Sequence, residues 1–419
     1  MLVAAFIMVV GIAVVAALSH RAGYRLGGVM TIPLLVIYTF REPLSPAIFI
    51  VGTTAAYGAL WATREYTLNH GRRVFLIAAL IGAVATILAT YVISYHTPIY
   101  LPFDDAEVVA SIFPGVAAYN LMRLDPDRRT ADVGLMAAVF ASLTLLGVAG
   151  LFLLEGRPTP TPAVLSVPTS DLVTWLGVEP RGELITQVIP DWLTVSLLVA
   201  DVAIYEGVRG RYDLRLAGIV IIPLIAVFSV RLKHTFAIFA VGATVVFVLL
   251  STIHWLSLLY GRVLLGISLI LGSLYVLFIG AFTATSLPGL TLFFLGLFVG
   301  VAAYNLHRVS PSNRPASLRL SAGLFVVFYT VLVFFVDIPP TGLFVEHPLV
   351  YAFTGVVILG LAGVELYRLE RARPSITAFA RSSVFANASV DGADVEASPL
   401  VYTDETSHDQ TPDSVSGDD

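Results

Sequence analysis

Along the chain, apolar runs alternate with short polar loops that carry most of the arginines. Thirteen such runs stand out, at 2–19, 26–40, 45–61, 74–95, 106–122, 131–154, 192–205, 216–230, 235–253, 263–283, 288–306, 318–336 and 348–367. Each predicts a helix, because roughly 20 apolar residues in helical form cross about 30 Å of hydrocarbon. The runs at 26–40 and 216–230 are shorter than that. The run at 2–19 is read as a retained span, since no small-residue cleavage site follows it.

Composition strengthens this picture. The 419 residues are 57% hydrophobic and 13% charged, with a mean hydropathy of +0.86. Soluble domains are about 25% charged, so soluble enzymes and disordered proteins are excluded. The expected fold class is an all-α polytopic membrane protein of about 13 transmembrane helices. Cysteine is absent, which excludes disulfides and thiolate metal sites.

Arginine placement orients the helices. With the N-terminus outside and every run crossing, the inner loops hold 19 basic residues and the outer loops five, namely Arg41, Arg157, Arg181, Arg231 and Lys233. That bias is a strong positive-inside signal. Treating 26–40 as a re-entrant hairpin would move Arg64, Arg72 and Arg73 outside and weaken the bias. Full crossings are therefore expected, in a cell membrane with the C-terminus cytoplasmic.

The sequence also repeats. His70-Gly71-Arg72 matches Tyr260-Gly261-Arg262 at an offset of 190, as do Gly28 and Gly218, Pro33 and Pro223, Arg41 and Arg231, and Gly52 and Gly242. Gly115-Val-Ala-Ala-Tyr119-Asn120-Leu121 recurs as Gly300-Val-Ala-Ala-Tyr304-Asn305-Leu306, seven consecutive identities followed by Arg123 and Arg308. Each copy holds six runs, and an even number returns the chain to its starting side. The copies are thus expected to be two parallel six-helix repeats, related about an axis along the membrane normal. The expected domains are repeat 1 at 1–154, a Pro-rich extracytoplasmic linker at 155–190, repeat 2 at 191–336, an extra transmembrane helix at 337–370 and an acidic disordered cytoplasmic tail at 371–419.

The tail shifts the charge balance. Nine acids and no lysine or arginine lie between Asp391 and Asp419, while Lys233 is the only lysine in the chain. An acid-rich soluble part on a lysine-poor body fits a high-salt cytoplasm, as in a halophilic archaeon; a merely disordered tail is the alternative. Asn387-Ala-Ser389 is a glycosylation sequon, expected to stay unmodified on the inner side.

Residues 23–145 resemble CapC/PgsC, the small integral-membrane subunit of the poly-γ-glutamate capsule synthase. The resemblance rests on the Gly-rich second segment with Pro33, the loop Gly71-Arg72-Arg73 before an apolar run, and Ile112-Phe-Pro114-Gly115. Typical members are about one copy long, so the chain resembles two such units fused over residues 1–336. The second copy departs from the pattern, with Val299 in place of Pro114 and Val263 in place of Arg73. The resemblance implies a membrane synthase complex that polymerises glutamate and moves the polyanion outward. It implies as partners a cytoplasmic ATP-dependent amide ligase (CapB/PgsB-like), a CapA/PgsA-like subunit, the anionic polypeptide and membrane lipid. No nucleic acid is expected.

Candidate residues follow from the repeats. Arg72 and Arg262 can bind carboxylates bidentately at the inner ends of long spans, or serve as topological anchors. Tyr119-Asn120 with Arg123, and Tyr304-Asn305 with Arg308, offer a polar, cationic lining for a polymer path; alternatively Asn bonds a neighbouring helix and Arg snorkels. Pro33, Pro114, Gly115, Pro223 and Gly300 are candidate helix breaks, functional or mere kinks. Arg41 and Arg231 are outer-rim candidates for guiding a polyanion, or for pairing with Glu42 or Asp337. Asp201 is an intramembrane carboxylate, a proton or ion candidate, with a structural pairing to an arginine as the alternative.

No Gly-rich phosphate loop, HExxH spacing or Gly-x-Ser-x-Gly elbow occurs. A non-catalytic subunit without cofactor or metal is expected. The competing functions are a secondary transporter of a small solute, for which Asp201 would matter most, and a membrane transferase or scaffold.

Overall fold

The computed structural model describes residues 1–67, 72–96, 111–155, 157, 159–165, 171–178, 189–282, 287–343 and 347–373. Residues 1–370 form one compact unit; residues 371–419 form a second, described only as far as 373. Gly71, the side chain of Arg72, much of the 155–190 linker and the Asn387 sequon lie outside the described residues.

The described residues form fourteen helices and no strands. These are α1 (Leu2–Ala22), α2 (Thr31–Arg41), α3 (Ser45–Tyr66), α4 (Arg72–His96), α5 (Phe113–Met122), α6 (Pro126–Leu154), α7 (Asp171–Trp175), α8 (Asp191–Tyr212), α9 (Ile221–Arg231), α10 (His234–Ser257), α11 (Gly261–Phe282), α12 (Gly289–His307), α13 (Arg314–Phe335) and α14 (Pro348–Ala372). The fold is all-α, as the apolar runs predict, and each of the thirteen runs overlaps a helix among the described residues, with loop at 26–30 and 216–220 and with 106–110 outside them.

Nine of the described helices are long and apolar enough to cross a membrane. The other four runs differ for separate reasons. α2 and α9 have 11 residues each, a rise of roughly 16 Å. α5 has only 10. α8 is long enough, but Asp201, Glu206, Arg209 and Arg211 interrupt its apolar character.

α2 nonetheless bridges the unit. The backbone N–H groups of Arg25 and Leu26 bond to Asp132 near the start of α6, while Phe40 packs at Gly147, fifteen residues further along that helix. That separation is about 22 Å of helix. That stretch is covered by a left-handed loop followed by a short helix: Leu26, Gly27 and Gly28 all have positive φ. Pro33 and Pro223 are third in their helices, where the missing N–H would lack an intrahelical partner in any case. They sit at helix starts and leave the helices after them intact.

Matching ends of the two copies lie together. At one end Arg262, the second residue of α11, reaches Ser19 and Asn120 of copy 1. At the other, Met1 donates to the Pro162 carbonyl, and Gly289 of copy 2 packs on Ala163 beside it. α12 is the central element, with 83% of its apolar stretch buried against 17% for α10.

Candidate functional site

The site grows from the need to satisfy backbone where α2 is broken. Backbone groups freed in a low-dielectric interior must find partners there. Asp132 Oδ1 accepts from Arg25 N at 2.9 Å and Leu26 N at 3.0 Å. The Gly27 carbonyl accepts from Thr31 Oγ1 at 3.0 Å and from Asn120 Nδ2 at 3.1 Å. Bonds to a charged acceptor contribute about 1.5–3 kcal/mol each, so Asp132 holds this loop firmly.

Copy 2 repeats the device with different atoms. Asn305 Nδ2 donates to the Ala217 carbonyl at 3.0 Å, one repeat offset from the Asn120–Gly27 bond. Ser317 stands where copy 1 has Asp132 and donates to the Arg215 carbonyl at 2.6 Å. Ser321 Oγ accepts from Ala217 N. Asp201 Oδ2 accepts from Val220 N at 2.8 Å, directly before α9. Val220 has φ +81, a strained conformation for a β-branched residue.

On this scaffold copy 1 gathers cations. Asn120, 8% exposed, spends its amide nitrogen on Gly27 and Val116 and turns its oxygen to Arg262 Nη2 at 3.0 Å. Arg25, Arg123 and Asp132 are the charged neighbours of Arg262. Arg123 lies over the Tyr119 ring, 5.6 Å from its centroid, and Phe75 meets the same ring edge-on. Burial, and then the nearby Arg123, lower the proton affinity of the Arg25 guanidinium. Three guanidiniums and one carboxylate leave an excess of two positive charges. Planar guanidinium forks suit carboxylates or phosphates.

Of the residues singled out in the sequence, Arg262, Asn120, Arg123 and Tyr119 come together here. In copy 2, Arg308 lies 5.7 Å over the Tyr304 ring, and Tyr304 donates to the Gly261 carbonyl; the counterpart of Arg262, Arg72, has its side chain outside the described residues. Pro114 opens α5 and packs on Gly52. A Cβ on Gly115 would collide with the Ala78 carbonyl. Gly300 is not a break: α12 runs through it unbroken, and its carbonyl accepts from Ser268 Oγ at 2.6 Å. Arg41 and Arg231 are buried, 8% and 9% exposed, at the ends of α2 and α9. Arg41 donates to the Val164 carbonyl, and Thr341 bonds the Arg231 carbonyl, so the linkers cover these positions. Asp201 is fully buried, and its Oδ1 has no hydrogen-bond partner among the described residues.

Sequence reasoning missed Arg25, Ser19 and Asp132. Asp132 had an available signal, because it lies within the apolar run 131–154 as Asp201 does within 192–205. Among the described residues no group of three His, Asp or Glu side chains could hold a metal.

The profile of the family "Capsule biosynthesis CapC" matches residues 10–130 and again residues 202–314, together more than half of the chain. No curated protein and no solved structure matches.

Proposed function

The chain belongs to the capsule biosynthesis CapC family, with two copies of the family unit in tandem, and from that premise we propose that it is the integral membrane subunit of a poly-γ-glutamate-type synthesis and export complex. It sits in the cell membrane with its arginine-rich end cytoplasmic. There it works with an ATP-dependent amide ligase of the CapB/PgsB kind and a CapA/PgsA-like subunit. The ligase performs the chemistry; this chain receives the anionic chain and helps move it outward.

The observation that carries this reading is the Arg25–Arg123–Arg262 group around Asn120. It is built from both copies at the matching ends of their helices, and its charge suits successive carboxylates of a polyanion. Arg72 is the repeat counterpart of Arg262 in the sequence, and so is changed together with it. The test is polymer output from cells carrying Arg72→Gln together with Arg262→Gln. A loss of secreted polymer at unchanged membrane levels of the protein is expected, and full output would overturn the reading.

Asp201 favours a second reading. A fully buried carboxylate with one oxygen lacking a hydrogen bond fits proton- or ion-coupled uptake of a small solute. Purified protein in liposomes separates the two: solute accumulation that depends on Asp201, without any ligase, would favour the transporter.

A further inference from the structure

A cavity of about 260 Å³ lies between α4 and α8. Among the described residues its lining is apolar except for Ser111. Leu76, Leu80 and Ala83 form the α4 wall, and Val199 and Val202 form the α8 wall. Two of these residues also reach the outer surface, Leu80 at 39% and Val199 at 49% exposed. The cavity therefore opens sideways between the two helices, at a depth set by the apolar parts of both.

The repeat supplies a comparison inside the molecule. By the offset of 190, α4 and α8 correspond to α11 and α1. That second seam is closed: Gly266, the counterpart of Leu76, packs on Ile12 and Ala16 of α1. One seam is filled by protein and its equivalent is left open.

Charge differs in the same place. Arg73 is exposed at the start of α4. It lies three and seven residues before Leu76 and Leu80, so it shares their face. Its counterpart on the closed seam is Val263. On the α8 wall the stripe ends in Glu206 and Arg209, which are of opposite charge, so among the described residues Arg73 leaves a net positive charge at this mouth. A cation at the interfacial end of an apolar slot complements an amphiphile with an anionic head. Apolar cavities stay dry, and one of about 150 Å³ already holds benzene; in a bilayer the hydrocarbon at hand is lipid.

We propose that this cavity is a lipid site: it takes one hydrocarbon chain of an anionic phospholipid, whose phosphate sits at Arg73. The proposal does not rest on the reading of the arginine group as a polymer contact.

The experiment uses the full chain in phosphatidylcholine nanodiscs containing a small fraction of phosphatidylglycerol with a diazirine midway along one chain. Adducts are mapped by mass spectrometry. They are expected to concentrate on Leu76–Ile87 and Val195–Val202, with only background at other surface positions such as Leu145 and Phe353. Ala83→Phe fills the cavity and abolishes the concentrated adducts. Arg73→Gln, a surface change that leaves folding intact, lowers the preference over a matched phosphatidylcholine probe about fivefold, the worth of one arginine near an anionic headgroup. Adducts spread evenly over the lipid-facing helices, or unchanged by Ala83→Phe, would overturn the site. Equal labelling by the two headgroups in the unmutated protein would overturn the role of Arg73.

Discussion

α5 and α12 carry the same seven residues from Gly115 to Leu121 and from Gly300 to Leu306, yet one is a 10-residue helix and the other has 19. The difference begins one residue upstream. Pro114 lacks an N–H and occupies the first turn of α5, so the helix starts there. Val299 places no such limit, and α12 continues back to Gly289, where it packs on Ala163. The shared segment still does the same work in both: each Asn holds a carbonyl of the loop before a short helix. Duplication has preserved the staple and released the helix around it.

Three pairs of substitutions sharpen or break this comparison. Val299→Pro puts proline inside a continuous, central helix and should cost about 3 kcal/mol or more, read as a loss of folded protein in thermal denaturation in detergent. Pro114→Val should cost less than about 1.5 kcal/mol; equal losses would mean that the two helices do not differ in the way described. Next, Asp132→Ala should cost about 3 kcal/mol, since two backbone donors lose a charged acceptor, against about 1 kcal/mol for Ser317→Ala. A reversed order in melting temperature would show that the copy-2 loop, and not that of copy 1, depends more on its α13 or α6 partner. Smallest is the functional contrast. Arg123→Gln should lower polymer output about tenfold, the worth of one charged hydrogen bond, and more than Arg308→Gln does. Equal effects would place Arg123 and Arg308 on the same footing.

Much of the fold was legible because apolar runs and membrane crossings share one physical cause. The runs at 26–40 and 216–230 are short, yet the arginine bias predicts full crossings for them, and their helices have 11 residues each. Where the breaks fall was less visible. Gly27 and Gly28 advertise one, but before α9 the left-handed residue is Val220, the counterpart of Met30 and not of either glycine, which no propensity argument would choose; Asp201 holds its N–H, and that bond exists only once α8 is packed beside it. Asn120 and Asn305 were found through repetition, whereas their partners, the Gly27 and Ala217 carbonyls, lie 93 and 88 residues away. Arg41 and Arg231 were expected at an open rim. They are buried because Val164 and Thr341, from segments with no helical pattern of their own, close over the ends of α2 and α9.

The distance along the chain between Arg25 and its acceptor has a consequence for biogenesis. The two N–H groups in the loop before α2 wait for Asp132, 107 and 106 residues later, and Met1 waits for Pro162, 161 residues later. A ribosome must deliver most of the first copy before its opening hairpin can settle. Until then those amides need water or the insertion machinery as a surrogate, so the first helices emitted are locked only after the rest of the first copy has followed them.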